Sequence, residues 1–286
     1  MKILLPGLRA ESPAGALAFY GVAGLVPPGA RLSWSGDDVS GWTGAVEHED
    51  IADLSMLVDA LLCATVARPL AGLVEVAKDL NEVSPHAWRE AVGKEDGVSA
   101  VLRGLSADAP RRSGGQVAMT PLCVYNFRSR GRLFDNIAKQ DQALTEHELL
   151  ALLEGNWQPK KNINTLGLDP AARRQDGAVI GPDPSADGVR GVPALLPLAA
   201  RGLAAVAPQP HERWAGGGAF RRDDGHIDFE WPVFTQPVPA EAVPLLVARR
   251  WRDRSPAQRR SAGIAAVFAS QVLRSERRLS AGRRVA

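Results

Sequence analysis

The 286 residues suffice for one large domain or two ordinary ones, 45% of them are hydrophobic, and the formal net charge is only +2. Such a composition excludes a disordered or fibrous chain and supports a folded core. Two cysteines, Cys63 and Cys123, with no CxxC and no Cys/His cluster, argue against a disulfide framework and a zinc site and fit a reducing cytoplasm.

The first elements read β-α-β-β. Lys2 to Leu5 is a short buried strand, because Pro6, Gly7, Arg9 and Glu11 break the apolar stretch before it could form the core of a signal peptide. Gly15 to Leu25 is an apolar helix with glycines that permit close packing. The surrounding run, Ala14 to Pro27, is too short and too interrupted to span a bilayer, so no membrane partner is expected. Arg31 to Ser35 and Trp42 to Val46 alternate polar with apolar residues around the turn Gly36-Asp37-Asp38. This order matches part of a ferredoxin-like unit, a fold used by RNA-binding modules. The expected class is α+β, with ferredoxin-like (β-α-β-β) N-terminal elements and a helix-rich C-terminal part.

Asp50 to Val66 is the clearest helix, apolar at Ile51, Leu54, Leu57, Val58, Leu61 and Leu62 and stopped by Pro69. Shorter helices are expected over Leu70 to Leu80 and over Ser84 to Val92, where Ser84-Pro85 supplies a cap and a first-turn proline. The loop Pro110 to Gly115 suggests three regions: 1–112, N-terminal α+β; 113–238, central α+β with a long functional loop; and 239–286, a basic helical segment. The central region reads as a strand at Gln116 to Tyr125, then one or two helices from Leu133 to Glu154 joined near Leu144-Thr145. A long polar connection follows from Trp157 to Gly191, of a kind that tends to be functional. Val192 to Val206 is helical, and Ile227 to Phe234 is a strand in which Pro232 suggests an edge. Pro239 to Trp251 and Pro256 to Leu279 read as the final helices.

Charge is segregated toward that end. From Arg249 onward eleven arginines (Arg249, Arg250, Arg252, Arg254, Arg259, Arg260, Arg274, Arg277, Arg278, Arg283 and Arg284) face two acids, Asp253 and Glu276. The local charge is +9, so the preceding residues carry −7. A polyanion is the natural partner, since the guanidinium fork pairs with phosphate and releases counterions. The competing reading is a solvated helix in a chain where arginine is the preferred cation throughout. Further basic positions are Arg128, Arg130 and Arg132, interleaved with Tyr125 and Phe127, then Lys160 and Lys161, then Arg173 and Arg174. Trp157 and Trp214 flank polar loops and serve either as base-stacking or as packing residues.

Five histidines are dispersed without metal-binding spacing, and no Walker A, GxSxG or GxGxxG motif is present. No metal or cofactor is expected, and the pattern argues for binding without turnover. His226 with Asp228, and His48 within Glu47-His48-Glu49-Asp50, are the weaker acid/base candidates.

Several stretches together resemble CRISPR-associated subunits of type I effector complexes, in particular the G/U subtype. They are Gly155-Asn156-Trp157, Leu166-Gly167-Leu168-Asp169-Pro170-Ala171-Ala172-Arg173-Arg174, Asp183 to Gly191, and Leu195 to Leu203 with Ala199-Ala200-Arg201-Gly202. Trp231-Pro232-Val233-Phe234 and Gly263 to Phe268, followed by arginines, match the family's ending. The resemblance departs at Leu168, where an aromatic is common, and at Phe268-Ala269-Ser270-Gln271. It implies a non-catalytic, large-subunit-like component of a Cascade-like antiviral defence complex, bound to CRISPR RNA, target DNA and backbone-type effector subunits. In such machines base pairing reads sequence and the protein reads backbone shape. Phosphate contacts would then fall to Arg128, Arg130, Arg132, Lys160, Lys161, Arg173, Arg174 and the arginines from Arg249 onward. Two rival functions are a metal-independent endoribonuclease processing the guide precursor through His48 or His226, and a protein–protein adaptor with a basic tail.

Overall fold

The computed structural model describes residues 1–77, 80–94, 96–107, 117–122, 133–161, 163, 168, 190–206, 209–211, 214–216, 218–223, 225–273 and 278–286. The chain is a mixed α+β protein. It opens with strand β1 (Lys2–Arg9), helix α1 (Pro13–Leu25), and the hairpin of β2 (Arg31–Asp37) and β3 (Gly41–Glu47). Ser12 caps α1 by accepting from the Gly15 amide, and Asp37 shapes the hairpin turn by accepting from the Val39 and Ser40 amides at 2.8 and 2.7 Å.

Helix α2 (Leu54–Ala67) starts where Asp53 accepts from the Met56 amide. The helix expected over Leu70 to Leu80 contracts to α3 (Leu73–Val76) and a 3₁₀ turn at Leu80–Glu82. Then come α4 (Pro85–Val92), capped by Ser84, and α5 (Gly97–Leu105). A two-residue ladder joins β4 (Ser106–Ala107) to β5 (Ala118–Met119), all that forms of the strand expected there within the described residues. Helices α6 (Leu133–Gln142) and α7 (Glu146–Glu154) are separated because Thr145 caps the second. After the ladder of β6 (Lys160–Lys161) and β7 (Arg190–Gly191) comes α8 (Leu195–Gly202). The remaining elements are β8 (Gln209–His211), β9 (Trp214–Gly216), β10 (Phe220–Asp223), β11 (His226–Phe234), β12 (Val238–Pro239), α9 (Val243–Val247), α10 (Pro256–Ser261), β13 (Ile264–Leu273), β14 (Arg278–Leu279) and β15 (Arg283–Arg284).

The first sheet has the order β1-β3-β2-β12 with antiparallel neighbours. β1 and β2 are therefore parallel, joined by α1, with β3 between them, which is the split β-α-β of a ferredoxin-like half. The fourth strand, β12, arrives from far along the chain and extends the sheet beyond β2. The second sheet has the order β10-β11-β13-β14, with β15 also on β13.

Two expectations for the C-terminal part are corrected. Pro239 to Trp251 holds only five-residue α9, flanked by 3₁₀ turns. Pro256 to Leu279 is not one helix: α10 ends at Ser261, Gly263 turns the chain with φ 72°, and β13 runs through the following apolar stretch. β13 lies inside a sheet and is buried on both faces, so its sequence lacks the alternation that marks a half-exposed strand. Pro232 on β11 behaves as expected of an edge position only locally. β11 is internal, and among the described residues the β10 ladder beside it runs only up to Phe229, short of the proline.

Helix α1 is buried along nearly its whole length and links the two sheets. Phe19 contacts Trp34 of the first sheet with ring centroids 4.3 Å apart and Phe234 of the second at 6.3 Å. The Trp231 indole donates to the Ala10 carbonyl at 2.8 Å. On its other side α1 crosses α8 backbone to backbone: a Cβ on Gly21 would lie 1.9 Å from the Leu198 oxygen, and one on Gly202 would lie 1.7 Å from the Leu17 oxygen. Arg201, beside that crossing, donates to Asp141 at 2.6 Å and to the Arg68 carbonyl at 2.9 Å, while Asp141 also accepts from the Leu70 amide at 2.9 Å. This buried pair fastens α6, α8 and the α2–α3 connection, which gives Arg201 a structural role. Among the described residues no helix is long and apolar enough to cross a membrane.

The crossing predicts a reversal of sign between two glycines of one helix. Gly24→Ala, with nothing within 4 Å of the added methyl, should stabilise by up to about 1 kcal/mol through helix propensity. Gly21→Ala should destabilise by about 1–3 kcal/mol or more through overpacking. Denaturant melts of the two variants check this; destabilisation by neither would show that the crossing is loose.

Candidate nucleic-acid interface

The basic segment from α9 to α10 is held by residues of the second sheet. α9 closes with the Ala248 carbonyl pressed against Gly218, where a Cβ would lie 1.5 Å away. Trp251 is buried at 5% exposure, donates to the Leu246 carbonyl at 2.7 Å, and carries the Arg249 guanidinium 5.8 Å from its ring centre. The next residue turns inward. Arg252 donates to Glu230 Oε1 at 3.1 Å and lies 3.9 Å from Asp228 Oδ2. Asp253 accepts from Arg221 of β10 at 2.6 Å. Ser255 and Gln258 form a reciprocal capping box that starts α10.

His226, Asp228 and Glu230 alternate along β11, so all three point to one face of the sheet. Both carboxylates are buried, and Arg283 of β15 also donates to Asp228, at 3.0 Å. Burial pushes the Glu230 carboxyl above the ordinary carboxylate range; the hydrogen bond and charge of Arg252 pull it back, and neighbouring Asp228 adds to the rise. The hydrogen bond from Arg221 holds the exposed Asp253 below that range.

The arginines of this region therefore divide into two sets. Arg252, Arg221, Arg283 and Arg284 are paired with carboxylates, Arg284 with Asp38 at the β2–β3 turn. Arg249, Arg250, Arg254 and Arg260 are exposed and Arg259 is half-buried, and among the described residues none of the five pairs with a carboxylate. They lie within twelve consecutive positions, 249–260, in which Asp253 is the only acid and is already engaged.

The other expected contacts are distributed as follows. Lys160 reaches Glu148 of α7, and Lys161 is the register partner of Arg190. Arg278 opens β14 opposite Leu273. Arg128, Arg130, Arg132, Arg173, Arg174, Arg274 and Arg277 lie outside the described residues. His48 has both ring nitrogens engaged by backbone, Nε2 with the Pro28 carbonyl at 3.2 Å and Nδ1 accepting from the Asp50 amide at 3.1 Å. His226 Nδ1 is 2.6 Å from the Gln271 side-chain amide nitrogen. Among the described residues no group of three or more His, Cys, Asp or Glu side chains could hold a metal ion. The organising residue that sequence reasoning missed is Glu230. Its signal was available: charged residues alternate with Ile227, Phe229 and Trp231 on a strand whose apolar side belongs to the core.

No protein-family model matches the chain, and no curated protein matches its sequence.

The Arg252 anchor predicts two outcomes in unfolding experiments. Arg252→Met should cost about 1–3 kcal/mol, less than a fully buried pair because Arg252 is about one-third exposed, and adding Glu230→Gln should recover part of the loss. Because the folded-state pKa of Glu230 is raised, its contribution is fully present below the ordinary carboxylate value of about 4.3 and is lost as pH rises through the raised value. Glu230→Gln should flatten stability across that window; an unchanged slope would show that Glu230 carries no shift.

Proposed function

We propose that the chain is a non-catalytic, nucleic-acid-binding subunit of a type I CRISPR surveillance complex, working in the cytoplasm. Its partners are CRISPR RNA, target DNA and the backbone-type protein subunits of the same complex. The observation that carries this reading is the set of arginines at 249, 250, 254, 259 and 260, which have no carboxylate ion-pair partner among the described residues. They are displayed by a segment whose own inward-facing arginine is neutralised beneath them. Arginine in that state offers its donors to phosphate. Contacts of this kind position a nucleic acid by its backbone and leave sequence reading to base pairing. Lys160, Lys161, Arg128, Arg130, Arg132, Arg173, Arg174, Arg274, Arg277 and Arg278 extend the proposed phosphate path.

Replacing Arg249, Arg250, Arg254 and Arg260 together with glutamine should weaken binding to all sequences alike. The log–log salt slope should become shallower by roughly 0.7 per lost contact on single strands and roughly 0.9 on duplex DNA. Lys139→Gln, on a residue paired with Asp135 on α6, should change neither. Anisotropy titrations over a salt series check this, and an unchanged slope in the fourfold variant would remove the segment from the interface.

A further inference from the structure

Arg249 differs from the other four displayed arginines in that its head group is held. Arg250, with φ −81° and ψ 79°, sits at the centre of an inverse γ-turn closed by the Trp251 amide, which donates to the Arg249 carbonyl at 3.1 Å. So tight a turn brings the residues on either side of Arg250 together, and the Arg249 guanidinium lies 5.8 Å from the centre of the Trp251 ring. Among the described residues no ring contact or ion pair restrains the guanidinium of Arg250, Arg254, Arg259 or Arg260.

The platform under Arg249 is rigid. Trp251 is buried, and its indole nitrogen donates to the Leu246 carbonyl at 2.7 Å. The Arg249 amide donates to that same carbonyl at 3.3 Å, so the ring and the arginine are both tied to the last turn of α9. That turn is pressed at Ala248 against Gly218, and Arg252, just beyond the ring, is fixed to Glu230. A guanidinium over an indole is attracted through the ring face and keeps its N–H fork for an anion. Arg249 is exposed, and among the described residues its guanidinium donors have no protein partner. A fork held in this way loses less freedom than a waving one when it grips a phosphate through two parallel hydrogen bonds.

We infer that Arg249 is the orienting contact of the arginine segment: it takes one phosphodiester of the bound strand bidentately, while the arginines around it act as charge. The inference rests on the nucleic-acid reading above and adds to it a contact that depends on the shape of the cation as well as its charge. Lysine at 249 would keep the charge and lose the fork and the stack. At Arg254, whose head group has no such support, the same exchange removes little.

The test uses the full chain and a fluorescent oligothymidine. Arg249→Lys should weaken binding roughly three- to tenfold, with the log–log salt slope unchanged because the charge is kept and the melting temperature unchanged. Arg254→Lys should stay close to wild type in all three. Nitrogen relaxation of the arginine side-chain Nε–H groups in the unsubstituted protein should show Arg249 ordered and Arg254 averaged before any oligonucleotide is added, and it decides the matter if the lysine variant is destabilised. Equal affinities of the two folded lysine variants, or equal mobility of the two side chains, overturns the special role of Arg249. If the fourfold glutamine variant still shows its shallower slope in that case, the wider reading stands. If the wild-type protein binds no oligothymidine at any salt concentration, both fall.

Discussion

Two glycines set the distance on which the structure depends. Gly21 and Gly202 let α1 and α8 meet at their backbones, so α1 can be buried along nearly its whole length and still carry Phe19 toward both sheets. A side chain at either position would clash with the facing backbone and force the helices apart. The second sheet thereby takes a fixed position relative to the first. Trp231 of β11 reaches the Ala10 carbonyl, and the chain's last strand returns across the molecule so that Arg284 meets Asp38. The basic C-terminal part is thus integrated into the fold, with its strands helping to hold the two sheets together.

From that position follows the division of the arginines. β11 presents Asp228 and Glu230 on one face, and Arg252, Arg283 and nearby Arg221 supply the opposing charge there. Buried ion pairs of this kind add little net stability compared with apolar packing, and they are expensive to break singly. Their consequence here is geometric: the 3₁₀ turn bearing Arg252 is pinned to the sheet, and among the described residues the flanking arginines make no ion pair with a carboxylate. Local charge excess alone would not produce that display, because long side chains on a flexible segment can find intramolecular carboxylates.

Much of the local architecture could be read from the residues themselves. The β2–β3 hairpin, the Ser84 and Thr145 caps and the break between α6 and α7 all depend on side chains within a few positions of the backbone they satisfy. What could not be read depends on contacts distant in sequence. β13 looked helical because a strand buried on both faces loses its alternation, and only pairing with β11, distant in sequence, decides its state. β12 completes the first sheet from the far end of the chain. For the candidate interface, sequence identified the segment and its charge. It did not identify which arginines are neutralised, since that turns on strand register and on Glu230, Asp228 and Asp38 arriving from elsewhere. Trp157 stood out in the sequence, but the Gly7 notch against which its indole packs did not.

The most direct test of the central claim, that the displayed arginines serve a nucleic acid inside an effector assembly, is to purify the tagged chain from its native host at moderate salt, with and without RNase and DNase. The account predicts co-elution of a short RNA with uniform, repeat-derived ends together with other effector subunits, in an association that nuclease weakens. A protein partner that stays bound after nuclease treatment, with no RNA recovered, would contradict it and make the arginine segment a protein-docking surface.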